Sequence, residues 1–223
     1  MTLPTLTVTF PHARFTKSEI GELRRITNKS YEWAYDLMHN HDEEGEDIIR
    51  YPLIQYRSYG RKATLFGIGE GTKVLKSLLL ENKLPENFKR EYSIEEHQAE
   101  LGLYETLSTY HIEDFLPLNS ENYLKWRQLL SLADKVKLAE DILKGHLLNL
   151  CQSLGYTLDG GHLTVYLKQL DKRPSKTLEA SGNKMSFLCF DTIFETNLML
   201  PEGIGLGKGK SKGFGITRLI RRD

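Results

Sequence analysis

Two histidines separated by one residue are the side chains of this sequence best suited to acid–base chemistry. His39 and His41 lie in the string DLMHNHDEE, where a predicted helix ends and the chain leaves the core. Because an imidazole titrates near pH ~6.5, one ring can accept a proton while the other donates one at neutral pH. Transesterification of RNA needs this combination, a base for the 2′-hydroxyl and an acid for the 5′-oxygen. The pair therefore predicts a general acid and a general base at one site.

Two other interpretations of the pair remain open on the residues alone. Positive charge is favoured at a helix C-terminus, so HNH can simply be a polar helix end. A metal site is the third option, but the acidic residues that follow, Asp42, Glu43 and Glu44, provide no fixed third ligand. The sequence therefore favours proton transfer without a metal.

A glycine-rich segment near the C-terminus is the second feature that points to a ligand. Residues 201–215 read PEGIGLGKGKSKGFG, with six glycines among the thirteen residues from 203 onward and lysines between them. Glycine lets backbone amides approach a ligand closely and lysine supplies cations, so we interpret the glycines as a phosphate cradle and not as a packing feature. The spacing matches neither the Walker loop nor the dinucleotide fingerprint. The candidate residues are Gly203, Gly205, Gly207, Lys208, Gly209, Lys210, Lys212, Gly213 and Gly215.

The charge distribution favours a polyanion at the same segment. The whole chain carries 30 basic and 30 acidic side chains, so a nucleic acid has to be held by a local patch. From Gly203 to Asp223, six basic side chains stand against one acidic one, which leaves a local charge of +5. A basic, glycine-rich surface is typical of binding to a nucleic-acid backbone. The alternative is a solvated connection between two strands.

Composition places the chain among globular proteins. Of 223 residues, 39% are hydrophobic and 27% charged, which argues against long disorder and is enough for one large or two small domains. There is no N-terminal signal pattern and no apolar run of about 18 residues, so secretion and membrane spanning are not expected. Cys151 and Cys189 lie far apart in apolar settings, which favours buried free thiols over a zinc site or a disulfide. We therefore expect a cytoplasmic protein.

Periodicity predicts a β-α-β-β-α-β order for the first half. Strands are predicted at 5–10, 53–57, 63–68 and 98–109, with a turn at Tyr59-Gly60. One helix is predicted from about 17 to 39, preceded by the capping-box pair Thr16 and Glu19, and a second ends near 82. This order is that of a ferredoxin-like fold, in which both helices cover one face of a four-stranded sheet.

The second half is a variation on the same order. Helical spacing covers 121–132 and 135–154, and strands are predicted at 162–171, 185–200 and 216–220, with a turn over 172–184. We therefore predict an α+β protein of two tandem ferredoxin-like (βαββαβ) folds. The N-terminal domain, 1–117, would carry the histidine pair, and the C-terminal domain, 118–223, would carry the glycine-rich segment.

The strings DLMHNH, RYPLIQYR and GIGEG, followed near the end by GIGLGKGKSKGFG, identify a family resemblance. Together they resemble the CRISPR RNA-processing endoribonucleases of the RAMP superfamily, in particular the group that serves subtype I-B systems. The resemblance spans residues 3 to 220. It implies two ferredoxin-like folds, binding of CRISPR repeat RNA, and cleavage without a metal or other cofactor to give 2′,3′-cyclic phosphate and 5′-hydroxyl ends.

The resemblance also implies roles for individual residues. His39 and His41 would be the catalytic histidines, Tyr51 an assisting residue beside the scissile phosphate, and Lys29 the nearest counterpart of a lysine in the first helix of relatives. The glycines and lysines of the glycine-rich segment would bind the RNA. The alternative function is a non-catalytic repeat-RNA-binding subunit of a CRISPR effector complex, which would not need the histidine pair. Contacts with effector subunits and a homodimer are both left open.

Overall fold

The computed structural model describes two compact units, each with its own sheet. It covers residues 1–16, 19–21, 23, 24, 51–81, 84, 88, 91–180 and 183–222. The first unit consists of Thr2–Ala99 and Ser211–Gly213, and the second of Met1, Glu100–Lys210 and Phe214–Asp223. Within the described residues, no helix is long and apolar enough to cross a membrane.

The first unit is a four-stranded sheet with a helix packed on one face. Its elements are β1 (Thr2–Arg14), β2 (Ile54–Tyr59), β3 (Lys62–Ile68), α1 (Glu70–Leu80) and β4 (Ser93–Glu100). The strand order across the sheet is β2-β3-β1-β4. Alternation along β1 directs Leu6, Val8 and Phe10 into the core, where they meet Leu75 and Leu78 of α1. This burial is the main stabilising contribution of the unit.

Two strands of this unit differ from their predicted bounds for local reasons. β1 continues through Pro11. The pairing of β1 with β3 shifts register between Phe10 and Arg14, so the missing N–H of Pro11 costs the sheet no hydrogen bond. The β2–β3 turn lies at Gly60-Arg61, one residue later than predicted, and both residues have positive φ, 56° and 64°. That pair of angles is typical of a type I′ hairpin turn.

The helix predicted over 17–39 lies largely outside the described residues. Its start is described, and the Glu19 half of the predicted capping box is present there. The backbone N–H and the hydroxyl of Thr16 each donate to the Glu19 carboxylate, both at 2.7 Å. Ile20 and Leu23 are fully buried in the core of the first unit.

The second unit repeats the strand order of the first. Its elements are β5 (Gly102–Phe115), α2 (Ser120–Gln128), α3 (Leu132–Ser153), β6 (Val165–Ala180), β7 (Asn183–Met199) and β8 (Ile216–Arg222). The sheet order is β6-β7-β5-β8, so in both units the second, third, first and fourth strands lie side by side in that order. The side chains of Asn119 and Ser131 accept hydrogen bonds from the first turns of α2 and α3 and cap them. The predicted tandem ferredoxin-like fold is confirmed.

Two predictions for this part of the chain need correction. The single strand expected over 98–109 is two strands, β4 and β5, and β5 pairs with β7 and β8 of the second sheet. The turn expected over 172–184 is instead the outer part of the β6–β7 hairpin, which pairs as far as Ala180 with Asn183. The turn-forming Pro174 and Ser175 lie at a register shift between Arg173 and Lys176, so they make a bulge and not a turn.

The glycine-rich segment joins β7 to β8, where a standard ferredoxin-like fold has its second helix. Within this fully described stretch the only helical turn is a short 3₁₀ turn, Lys210–Lys212. The segment was expected to be a strand-to-strand connection, and this is confirmed. Both cysteines are buried free thiols, also as expected.

Candidate functional site

The structure describes one of the four side chains expected to take part in catalysis. His39, His41 and Lys29 lie outside the described residues, so their roles remain predictions. Tyr51 is described, and only 1% of its surface is exposed. Its phenolic oxygen accepts a hydrogen bond of 2.5 Å from Nε2 of Gln55, which is itself fully buried.

Gln55 in turn links Tyr51 to a cation. Nη2 of Arg57 donates to Oε1 of Gln55 at 2.7 Å, and the guanidinium carbon lies 4.0 Å from the centre of the Phe66 ring. Burial lowers the pKa of Arg57 to about 10, while the interaction with Tyr51 acts in the opposite direction. Arg57 therefore remains charged at neutral pH. We refer to Tyr51, Gln55 and Arg57 as the Tyr51–Gln55–Arg57 chain.

This chain lies on the sheet face away from the apolar core of the first unit. Gln55 and Arg57 alternate with Ile54 and Tyr56, which are core residues. Neither Gln55 nor Arg57 was predicted as a site residue. The sequence does contain a pattern that indicates them: shortly after Tyr51, the string QYR places two polar residues at alternate positions of a strand whose other face is apolar.

The glycine-rich segment is held by its own backbone hydrogen bonds. The amide of Lys208 donates to the carbonyl of Leu116 at 2.9 Å, that of Leu206 to Gly215 at 2.8 Å, and that of Gly215 to Asp114 at 3.2 Å. These amides are engaged in the fold and do not point at a ligand. The part of the segment that makes these bonds is packed into the fold and is not a solvated connection.

Two glycines of the segment are required by this packing. Gly207 has φ 84°, and a Cβ there would lie 2.8 Å from the Leu116 carbonyl oxygen and 3.0 Å from the Phe115 ring. Gly215 has φ 67°, and a Cβ there would overlap the carbonyl oxygen of Leu206. The interpretation of the glycines as a ligand cradle without a packing role was therefore wrong at these positions. Whether the segment binds RNA remains a prediction.

Two lysines of the segment, Lys208 and Lys210, act electrostatically on a half-buried histidine of the second unit, His146. Burial and the charge of Lys208 lower the pKa of Lys210 to about 8. Burial followed by the charges of Lys210 and Lys208 lowers the pKa of His146 to about 4, although the Pro117 carbonyl acts in the opposite direction. The His146 ring packs edge-on against Phe115 at 6.2 Å. The charge of Lys208 therefore disfavours a charge on Lys210, and an anion beside the two lysines would relieve that repulsion.

Charged residues near Asp114 support the end of the segment. Asp114, a residue with positive φ of 52°, receives the Gly215 amide on its carbonyl, and its carboxylate pairs with Lys176 at 3.2 Å. Asp191 on β7 forms an ion pair with Arg173 on β6. The Asp114–Lys176 pair links the end of β5 to the β6–β7 hairpin, and the Asp191–Arg173 pair lies within that hairpin. Among the described side chains, no group of three His, Cys, Asp or Glu residues is arranged to hold a metal ion.

The fold and the glycine-rich connection together define a class of protein. Two tandem ferredoxin-like folds of the same strand order, the second with a glycine-rich segment before its last strand, are the architecture of RAMP-type proteins of the Cas6 kind. The chain belongs to the Cas6b family: the family model of the Cas6b N-terminal domain matches residues 1–102, and that of the Cas6b C-terminal domain matches residues 102–220. The predicted family is thus confirmed over nearly the whole chain.

Solved structures share the fold of this chain, and part of the chain is similar to one further sequence. A solved structure described as "Crystal structure of Cas6b" matches with a TM-score of 0.81 at 22% identity, over 99% of this chain and 100% of that chain. Another, "Crystal structure of CRISPR RNA processing endoribonuclease Cas6b", matches with a TM-score of 0.74 at 21% identity, over 99% and 100% of the two chains. An uncharacterized protein of Methanocaldococcus jannaschii is 32% identical over 117 residues, which are 52% of this chain and 75% of that protein.

Proposed function

We propose that this protein is a metal-independent endoribonuclease that cleaves CRISPR repeat RNA within precursor transcripts. The observation that carries the proposal is membership of the Cas6b family across both domains. One protein of similar structure is a CRISPR RNA processing endoribonuclease, which supports the same substrate class. The histidine pair supplies the groups that such a reaction needs.

In the proposed reaction, no atom of the protein becomes bonded to the RNA. One histidine of the pair His39 and His41 takes the proton of the 2′-hydroxyl, and the 2′-oxygen attacks the adjacent phosphorus. The bond from phosphorus to the 5′-oxygen breaks, and the other histidine donates a proton to that oxygen. The products are a 2′,3′-cyclic phosphate and a 5′-hydroxyl. Tyr51 lies beside the phosphate in this scheme, and Lys29 adds positive charge.

The second unit is proposed to hold the RNA backbone through cations of the glycine-rich segment. Lys208 is exposed and Lys210 and Lys212 are half-buried, so their ammonium groups are the groups of the segment suited to meet phosphates. The amides of Leu206, Lys208 and Gly215 are already bonded within the fold. We therefore assign phosphate attraction to the lysines and the shape of the segment to its glycines.

The proposal is tested by product analysis in the absence of divalent metal. Repeat RNA incubated with the protein in excess EDTA should be cut at one position. The upstream product should resist phosphatase until acid opens a cyclic phosphate, and the downstream product should accept a new 5′-phosphate from a kinase without prior treatment. Binding without cleavage would instead favour the RNA-binding subunit, and strict dependence on magnesium would reject the mechanism.

A further inference from the structure

A cluster of exposed apolar side chains lies where α2 ends and α3 begins. Tyr123, Leu124, Leu130 and Leu132 are 40%, 59%, 97% and 75% exposed, and all four lie within ten residues of sequence. Single apolar side chains are common on protein surfaces, but a group of this size is typical of a surface that another molecule covers. The end of α2 is therefore a candidate interaction surface of the second unit.

α2 has one face toward the sheet and one face toward solvent. None of its residues is fully buried, and its two half-buried residues, Asn122 and Trp126, lie about one turn apart. Trp126 attaches the helix to the sheet, since its ring centre lies 5.5 Å from that of Phe190 on β7. At about 100° per residue, Leu124 is turned roughly 160° away from Trp126 and points out from the unit. The other members of this outer face are all exposed: Ser120, Glu121, Arg127 and Gln128.

The outer face of α2 is complementary to itself. Glu121 lies three residues before Leu124, and Arg127 lies three residues after it. If two copies of the helix pack antiparallel about a two-fold axis at Leu124, Glu121 of each copy meets the partner's Arg127, and the two Leu124 side chains meet each other. Glu121 also pairs with Lys125 of its own helix at 2.6 Å, but it is still 72% exposed, and a carboxylate can accept from a second cation. The charges of this face therefore match a second copy of the same face.

We propose that the outer face of α2 is the contact surface of a homodimer, in which the helices of two chains pack antiparallel. The same surface is used by both chains, so the contact closes at two and does not extend into a filament. Leu124 is the apolar centre and the charged pairs are the rim, as in other protein interfaces. Leu130 and Leu132 follow the helix and widen the apolar area beside the first turn of the partner helix. Because a helix of nine residues offers less than the roughly 800 Å² per partner of a standard interface, the dimer should dissociate in the micromolar range.

Sedimentation velocity of the RNA-free protein across the micromolar range tests this contact. The wild-type mass should change from that of one chain to that of two as the concentration rises. Leu124→Glu places two like charges at the two-fold axis and should remove the dimer at every concentration. Leu80→Glu, the same change at an 85% exposed leucine at the end of α1, is the matched control and should dimerise like wild type. A wild-type protein that stays monomeric, or a Leu124→Glu variant that dimerises normally, would overturn the proposal.

Charge reversal tests the antiparallel arrangement of the two helices. Glu121→Lys and Arg127→Glu each create two like-charge contacts across the axis, so each alone should weaken dimerisation by about tenfold or more. Mixed in equal amounts, the two variants regain opposite charges at both contacts and should form a mixed dimer of nearly wild-type affinity. Circular dichroism should show that both variants are folded. A mixture that stays monomeric although both variants are folded would overturn the proposal. Because no RNA is present, none of these outcomes depends on the proposed function.

Discussion

At the scale of single residues, the proposed chemistry depends on two imidazoles with different roles. Substituting alanine for His39 or for His41 should slow cleavage by about 10²-fold or more, because each substitution removes one proton-transfer step. Affinity for the repeat should stay within a few-fold of wild type. Single-turnover rates and filter binding measure the two quantities separately. A variant that cleaves normally would mean that its histidine is structural.

The buried imidazole of the second unit makes a different prediction, about stability. The pKa of His146 in the folded protein is about 4, below the ordinary 6.5, so the unfolded chain takes up the proton first as the pH falls. Stability is therefore lost between pH 6.5 and pH 4, by roughly 3 kcal/mol from this residue alone. Denaturant unfolding at pH 7 and pH 4 should show a smaller loss for His146→Gln than for wild type. Equal losses would contradict this role of His146.

What the sequence could predict at this scale depended on residue type. Paired histidines and a lysine-glycine string are recognisable by their chemistry alone. Gln55 and Arg57 were missed because neither is unusual in a strand, and only the fold places both on one face with Tyr51. The contacts of Gly207 with the Leu116 carbonyl and of Gly215 with the Leu206 carbonyl were missed for the same reason, since they depend on how the segment folds.

At the scale of elements, the glycine-rich segment should respond to substitution as a packed element. Gly215→Ala should destabilise the protein by about 2 kcal/mol or more, from the positive φ and the overlap with the Leu206 carbonyl. Gly207→Val should also unfold more easily than wild type, so its effect on RNA binding could not be separated from its effect on stability. Gly145→Ala, in α3 with nothing near the added Cβ, should be neutral or stabilising by up to about 1 kcal/mol. Thermal and denaturant unfolding measure all three, and a Gly215→Ala variant as stable as Gly145→Ala would contradict this packing.

Whether a segment is a helix or a strand was predictable where its hydrophobic pattern was strong. The first and last residues of the strands were predicted wrongly where pairing with distant parts of the chain determines them. The apolar alternation of β1 and the caps of α2 and α3 are local signals. Pro174 and Ser175 favour a turn locally, but in the β6–β7 hairpin they form a bulge because the strands pair on both sides of them. Similarly, one strand was predicted over 98–109, and only the separate sheets show that this part of the chain is divided near Leu101.

At the scale of the whole molecule, charge should govern RNA affinity. The net charge of zero leaves the local lysines to attract the polyanion. Replacing Lys208, Lys210 and Lys212 together by glutamine should weaken binding and flatten its dependence on salt, by up to about 0.7 in slope for each phosphate that no longer pairs with a lysine. Preference for the repeat over scrambled RNA should survive, because groups that bind phosphates do not read bases. As a control, the same replacement at the exposed Lys73, Lys125 and Lys137 should leave the salt dependence unchanged. If both triple variants show the wild-type salt dependence, the lysines of the segment do not contact the RNA.

The pH should modulate the same binding. Lys210 has a pKa of about 8 in the free protein, so it begins to lose its charge at a pH where an ordinary lysine keeps it. Because a phosphate favours the charged form, wild-type affinity should fall between pH 7 and pH 9. Lys210→Arg, which stays charged throughout, should show a smaller fall. Parallel titration curves for the two proteins would show that Lys210 does not meet the RNA.

The duplicated fold was predictable from element order, and the similar strand order of the two sheets supports it, even though no sequence repeat links the halves.

The proposed function depends on the attacking group, the 2′-hydroxyl, which belongs to the RNA. The most direct measurement is therefore cleavage, in EDTA, of a repeat RNA that carries one 2′-deoxy nucleotide just upstream of the cut. The proposed mechanism predicts cleavage of the all-ribose RNA and none of the substituted RNA, with equal binding of both. Cleavage of the substituted RNA at a comparable rate would show that the nucleophile is not the 2′-hydroxyl and would contradict the proposed function.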